Sequence, residues 1–445
     1  MTLDPIHVDN IARLASTIAG TVETTDHEDL AERVWTEWLP ELRREGRVIL
    51  EPVGEHARRR VAIDEIALVD RPFETSHGLD SGTINPTTFK NGLVVDVAHA
   101  AMAVEPTDLD LHRSRTIVAT VHTADTTVDH DTDWGRRDEG YTQQRVLHAP
   151  RVSRYAEGVV HALALYLAES KHALDHANAV GDLLVLDGPI YPKELFTWVD
   201  RDPELGDLAR EAKPHAVIEN YVRLVEKLYE ADVPLAGFVK NPSGRAITRT
   251  LASKGIEGPW PDDAALFNRL LERPADDDGS DGGDGIESGT GGGRGSGGGR
   301  ESGRGTGGSG PRTDELTATT WFHARGGTDR HLAADGDALG VERRLDPELY
   351  EPTFLVIYDP RTDVTYKLEA PYAFTRDPDT RRALTTQILS EVAAERGPPT
   401  AVAKADELAR IDAGEKASIR RKFEEQFDTD RLRSYDDVRW PDVEG

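Results

Sequence analysis

The chain has 445 residues, with 81 Asp or Glu against 53 Lys or Arg, a formal charge of −28, and no cysteine. Disulfides and zinc–thiolate sites are therefore excluded. No apolar run reaches membrane-spanning length, and the first ten residues lack the basic and apolar regions of a signal peptide, which predicts a soluble cytoplasmic protein. The acidity is spread along the whole chain and arginine supplies most of the positive charge, a pattern that suits a halophilic protein. In ordinary buffer such a charge argues against DNA binding, but at molar salt the field is screened within about 3 Å.

In chain order, Asp9 to Arg47 carries helical periodicity anchored by Leu14, Ile18, Leu30, Val34 and Trp35. Arg59 to Val69 mixes strand-like and charged residues. His77 to Val104 reads as a turn, Gly78-Leu79-Asp80-Ser81-Gly82, followed by a strand from Gly92 to Ala98. Thr116 to His122 is another strand, and the acidic stretch Asp125 to Gly140 an exposed loop. Ser153 to Ala177 is the strongest helical pattern. The apolar run Leu183–Leu186 follows as a strand, then an amphipathic helix over Pro214–Ala231, a strand over Leu235–Lys240 and a short helix over Ala264–Leu271. From about Pro274 to Arg312, Gly, Ser, Asp and Arg dominate, the composition of a disordered tether. Strands resume over Ala318–Phe322, Thr353–Tyr358 and Thr365–Glu369, the last two joined by the hairpin connection Asp359–Asp363. Helices over Asp379–Glu395 and Ala403–Phe427 close the chain.

Neither half has a complete core of its own, so the expectation is one α/β domain interrupted by the Gly-rich insertion. The divisions are 1–60, an N-terminal helical region; 61–273, the first part of the domain; 274–313, the insertion; and 314–445, the remainder with its C-terminal helices.

The segment richest in chemical information is Asp182-Leu183-Leu184-Val185-Leu186-Asp187-Gly188-Pro189. Its aliphatic run reads as a core strand, and Asp187 stands at the C-terminal lip, where open sheets hold ligands. A buried carboxylate needs a cation or donors nearby. Asp80 beside a strand, Glu169 on the helix before the Asp187 strand, and Asp406 near the start of the last helix can converge at the same end of a sheet. Clustered carboxylates repel unless they share cations, and hard oxygen ligands suit Mg²⁺ or Mn²⁺. Two such ions can clamp the oxygens of an in-line phosphoryl displacement. Lys240, after its strand, is a candidate phosphate contact. His77, His99 and His122 have no paired metal-site spacing, and there is no P-loop motif.

Leu186-Asp187-Gly188-Pro189, the strand Gly237-Phe238-Val239-Lys240 and the C-terminal Lys404-Ala405-Asp406-Glu407-Leu408-Ala409-Arg410-Ile411 together resemble the NurA nuclease family, over about Asp80 to Phe427. That resemblance implies an RNase H-like mixed sheet flanked by helices, Mn²⁺ as cofactor, 5′→3′ DNA exonuclease and single-strand endonuclease activity, a homodimer, and partnership with a hexameric HerA-type translocase in DNA end resection and double-strand break repair. Residue by residue, Asp80 matches the first family aspartate, with Asp-Ser-Gly in place of Asp-Gly-Ser. Asp187 matches the second Asp-Gly motif and Glu169 the helical glutamate. Glu157 lies twelve residues earlier on the same helix and points about 120° away, so only one of the two can face the site. The family's C-terminal tyrosine and histidine are Pro398 and Asp406 here, and Asp406 replaces the histidine as a cation ligand in this reading. The expected site is thus Asp80, Glu169, Asp187 and Asp406 around the ions, with Lys240 on a phosphate. Two other readings stand beside it: a non-catalytic adaptor that binds the translocase and DNA, and another RNase H-like nuclease acting on RNA or branched DNA.

Overall fold

The computed structural model describes residues 4–19, 27–123, 127, 129–149, 154–193, 195–196, 212–272, 313–325 and 341–433. Fourteen strands among them form one mixed sheet. In chain order they are β1 Leu42–Arg44, β2 Arg47–Pro52, β3 Arg58–Ala62, β4 Ser76–Thr88, β5 Val94–Glu105, β6 Arg115–His122, β7 Gly135–Arg137, β8 Thr142–Ala149, β9 Leu184–Asp187, β10 Leu235–Val239, β11 Glu315–Thr319, β12 Phe322–Ala324, β13 Pro352–Asp359 and β14 Val364–Pro371. Their spatial order is β1-β2-β12-β13-β14-β10-β9-β4-β5-β6-β8-β7, with β11 bridging β13 and β3. The principal helices are α1 Pro5–Ala19, α2 His27–Arg33, α3 Arg154–His176, α4 Ala212–Glu230, α5 Ala246–Ser253, α6 Asp263–Leu271, α7 Pro378–Glu395, α8 Thr400–Ala409 and α9 Ala413–Phe427.

The centre of the sheet is β6-β5-β4-β9-β10. β4, β5 and β6 form an antiparallel meander, while β9 and β10 run parallel to β4. These strands are covered on both faces, which is why β9 reads as an uninterrupted apolar run. Side chains alternate along it: Leu184 and Leu186 enter a core with Leu163, Leu167, Tyr221 and Val225 of α3 and α4. Leu183 and Val185 enter a second core with Leu384, Ile388 and Leu389 of α7 and Val402 of α8. A third core holds Val34, Trp35, Leu50, Phe322 and Phe354 against α5 and α6.

Three expectations are corrected. Residues 9–47 are not one helical run. After α1 and α2 the chain makes a π-helical turn over Val34–Trp38 and then a hairpin of β1 and β2. That hairpin closes on Glu45 and Gly46, both at positive φ, the backbone that two-residue hairpin turns require. Strands of the 1–60 region therefore belong to the sheet. Second, Gly78–Gly82 is not a turn but the interior of the thirteen-residue β4. The glycines are there because a helix lies on them: a Cβ at Gly78 would sit 2.1 Å from the Ala401 carbonyl oxygen, and one at Gly82 1.8 Å from that of Ala409. Third, Ala403–Phe427 is two helices. Asp412 caps α9 by accepting from the Glu415 backbone N–H, while the Glu415 side chain accepts from that of Asp412, so the chain breaks there. The strands flanking the Gly-rich stretch join one sheet; residues 273–312 themselves lie outside the described residues.

Candidate metal centre

The site is assembled by strand register and one close helix contact. In the parallel pairing of β4 with β9, Leu79 lies opposite Leu186. Asp80 and Asp187 are the next residues on neighbouring strands and share the face covered by α7 and α8. In the parallel pairing of β9 with β10, Asp187 lies opposite Phe238. Lys240 follows two residues later on the same face. The third carboxylate comes from α8, whose small residues Ala401, Ala405 and Ala409 are fully buried. Gly78 and Gly82 let its backbone press onto β4, and Asp406 stands one turn before the end of that helix. The His99 Nε2–Ala409 O contact, 2.9 Å, ties the helix end to β5.

The outcome is a compact acidic group. One carboxylate oxygen each from Asp80, Asp187 and Asp406 lie within 4.8 Å of one another. Lys240 Nζ donates to Asp187 Oδ2 at 2.7 Å and to Asp406 Oδ1 at 3.2 Å. Asp80 Oδ1 accepts from the Ser81 backbone N–H at 2.7 Å. Exposure is graded: the Asp187 side chain is 13 % exposed and that of Asp406 48 %. The group is therefore walled by the sheet and open on the α8 side.

Glu169 stands outside this triad. Ser81 follows Asp80 and points to the opposite face of β4, where its Oγ donates to Glu169 Oε1 at 2.5 Å. Tyr221 of α4 donates to Glu169 Oε2 at 3.4 Å. Glu169 is thus a partner of the strand that carries Asp80, reached through Ser81 rather than directly. The Glu157 side chain lies outside the described residues. Pro398 sits in the turn between α7 and α8 and contributes no ligand atom.

The charges report crowding. Burial, then the charge of Asp187, lifts the Asp80 carboxyl to about 7, against the Ser81 N–H bond. Burial also raises Asp187, opposed by its bond to Lys240. Burial lifts Glu169 to about 8, with Asp80 and Asp187 adding to the rise and the Ser81 hydroxyl opposing it. Burial disfavours the Lys240 ammonium, but Asp187 and Asp406 outweigh it and hold the amine above its ordinary value. Three crowded carboxylates with one internal ammonium lack positive charge, and their hard oxygen donors fit Mg²⁺ or Mn²⁺.

One other ligand-like group occurs among the described residues, His323, Glu348 and Glu351. Arg325 already fills it, meeting Glu348 at 2.8 Å, Glu51 at 3.0 Å and Glu351 at 3.5 Å, and His323 contacts Glu351 directly. It is an ion-pair network that joins β2 and β12 to the turn before β13.

Sequence reasoning missed Ser81, Tyr221 and the two glycines. Asp-Ser-Gly carried a signal for the first, since Ser next to a strand Asp must face the other side of the sheet. Tyr221 is indistinguishable in sequence from the other apolar residues of its helix. His77, His99 and His122 make ordinary core contacts; His77 is buried and the His122 Nδ1–Ala149 O contact is 3.0 Å. The first of these follows Ser76 into β4, and His99 alone bears on the site, through α8.

A mixed sheet flanked by helices, with carboxylates from two parallel neighbouring strands and one helix clustered together, defines an α/β protein with a candidate divalent-cation site. The chain belongs to the NurA domain family, whose family model matches residues 74–411. It is similar to the NurA nuclease from Sulfolobus solfataricus, at 11 % identity over 96 % of this chain and 98 % of that one, with a TM-score of 0.47. It is also similar to NurA bound to dAMP and manganese, at 12 % identity over 97 % and 98 %, with a TM-score of 0.42. No curated protein matches the chain in sequence. No helix among the described residues is long and apolar enough to cross a membrane.

Proposed function

We propose that this protein is a divalent-metal-dependent DNA nuclease, a 5′→3′ exonuclease and single-strand endonuclease that works in end resection with a HerA-type translocase. The observation that carries the reading is the convergence within 4.8 Å of Asp80 from inside β4, Asp187 from the end of the parallel β9 and Asp406 from α8, in a chain of the NurA domain family. The order β6-β5-β4-β9-β10, an antiparallel meander followed by two strands parallel to its first, supports the RNase H-like assignment.

In this reading Asp80, Asp187 and Asp406 hold Mn²⁺ or Mg²⁺, and Asp406 serves where the family has histidine. A divalent cation held there supplies Lewis acidity toward a phosphodiester. Glu169 orients β4 at Asp80 through Ser81, and it completes the acidic shell from behind. Lys240 meets a phosphate of the bound strand. With no P-loop, unwinding comes from the translocase. At high salt, counterion release adds little affinity, so DNA is held by being threaded into the nuclease. The homodimer and the cytoplasmic, halophilic setting belong to the same reading.

The test is degradation of 5′-labelled single-stranded DNA in Mn²⁺ by wild type and by Asp187→Asn, with ion stoichiometry read by calorimetry. Loss of at least about a hundredfold in rate is expected, the scale on which removing one essential group acts. Undiminished activity in the variant removes Asp187 from the site. The missing Tyr/His pair favours the adaptor reading, for which a folded wild type would bind translocase and cut nothing. Equal cutting of long duplex with and without the ATPase at high KCl would remove the threading idea.

A further inference from the structure

The ammonium of Lys240 occupies the position that a cation shared by Asp187 and Asp406 would claim. It lies 2.7 Å from Asp187 Oδ2 and 3.2 Å from Asp406 Oδ1, and these two carboxylates with Asp80 have oxygens within 4.8 Å of one another. Each of those bonds occupies a lone pair on a carboxylate that borders the group. A divalent ion takes such oxygens at about 2.0–2.6 Å, and an ammonium kept at the same two oxygens would then stand against a double positive charge at close range. Both cannot use the same lone pairs.

We propose, resting on the reading of this triad as the ion site, that Lys240 is the resident counter-cation of the ion-free protein and that divalent-ion binding exchanges it off Asp187 and Asp406. The geometry provides the exit. Lys240 follows the end of β10 on a flexible four-carbon stem, its side chain is 29 % exposed, and Asp406 beside it is the most open of the three carboxylates. The displaced ammonium stays near the mouth of the site, where it can meet a phosphate that the ion also contacts. One side chain thereby keeps the acidic group from flying apart when ion-free, and becomes available to a phosphate only once an ion is in place. The exchange moves charge without any covalent step.

The exchange predicts opposite effects on ion affinity and ion-free stability. Lys240→Met keeps the stem and removes the charge. By calorimetry or EPR it should bind Mn²⁺ about tenfold more tightly than wild type, a change of about 1.4 kcal/mol. Its ion-free melting temperature should fall and its Mn²⁺-induced rise should exceed that of wild type. Equal or weaker Mn²⁺ binding by Lys240→Met overturns the proposal. A measurement on the unaltered protein covers a variant that fails to fold: reductive methylation of Lys240, followed by mass spectrometry, should speed up severalfold on adding Mn²⁺. An unchanged or slower rate overturns the proposal. Asp187→Asn separates this from failure of the underlying reading. If it binds Mn²⁺ as wild type does, the triad is not the ion site and both ideas fall. If it loses Mn²⁺ while Lys240→Met gains nothing, only the exchange falls.

Discussion

Gly82 offers the sharpest test of how the site is positioned. A methyl group added there would lie 1.8 Å from the Ala409 carbonyl oxygen and 2.8 Å from His99 Nε2, whereas real Cβ atoms keep at least 3.0 Å from their neighbours. In Gly82→Ala the end of α8 must therefore retreat by about 1.2 Å, because the nearest atom in the way is a backbone carbonyl, which cannot rotate aside as a side chain can. Overpacking of this kind costs about 1–3 kcal/mol, and the His99–Ala409 contact stretches with it. Asp406, one turn earlier on the same helix, moves in the same sense, while metal ligands tolerate about 0.2 Å. The expected result is a loss of about 1–3 kcal/mol in urea unfolding together with at least a tenfold fall in Mn²⁺ affinity, about 1.4 kcal/mol. Gly158→Ala on α3 is the control, since nothing lies within 4 Å of its would-be Cβ; it should leave Mn²⁺ binding unchanged. Wild-type stability and Mn²⁺ affinity in Gly82→Ala would refute the claim that the close helix contact sets the position of Asp406.

Two further outcomes follow from charge. Glu369 of β14 is buried, which alone would raise its carboxyl, yet Lys193 at 2.5 Å and Lys367 at 2.7 Å hold it down at about 2, below an ordinary 4.5. A depressed carboxyl stabilises the fold fully above the ordinary value and loses that contribution as pH falls toward the folded value; the shift corresponds to about 3 kcal/mol. Glu369→Gln should be less stable than wild type by about that amount at pH 7 in urea unfolding, with the gap closing between pH 4.5 and 2; a gap independent of pH would contradict the assignment. The formal charge of −28 should make the melting temperature climb between about 0.1 M and 2 M KCl, as self-repulsion is screened; a flat or falling profile would count against the halophilic reading.

β6, β9, β10 and Asp187 were legible in the sequence because each of these strands leaves a short β-branched or aliphatic run between turn-forming residues. α3 was legible because its period is uninterrupted. Asp80 was found as a residue but misplaced in a turn, since Gly78, Ser81 and Gly82 look like turn formers. Their cause is a helix more than three hundred residues away in the chain, and no local pattern reports that. The break between α8 and α9 was written locally, in Asp412 and Glu415, but the helical period carries across it and hides the cap. The direct contact of Lys240 with Asp187 and Asp406 depends on the register of β9 with β10 and on the docking of α8, which sequence patterns do not specify. Glu169 was expected among the ion ligands, whereas the structure places it on Ser81, which points away from Asp80 because side chains alternate along β4.

Two of the carboxylates sit on strands in the first half of the chain, and the third arrives on α8, at Asp406 of 445 residues. During synthesis the ribosome releases β4 and β9 long before the helix that completes the trio. The trio therefore cannot close until α8 has been made and has docked on β4, a contact across more than three hundred residues of sequence. In the proposed reading, ion binding and hydrolysis both wait for that long-range docking, while the strands that carry Asp80 and Asp187 pair without it.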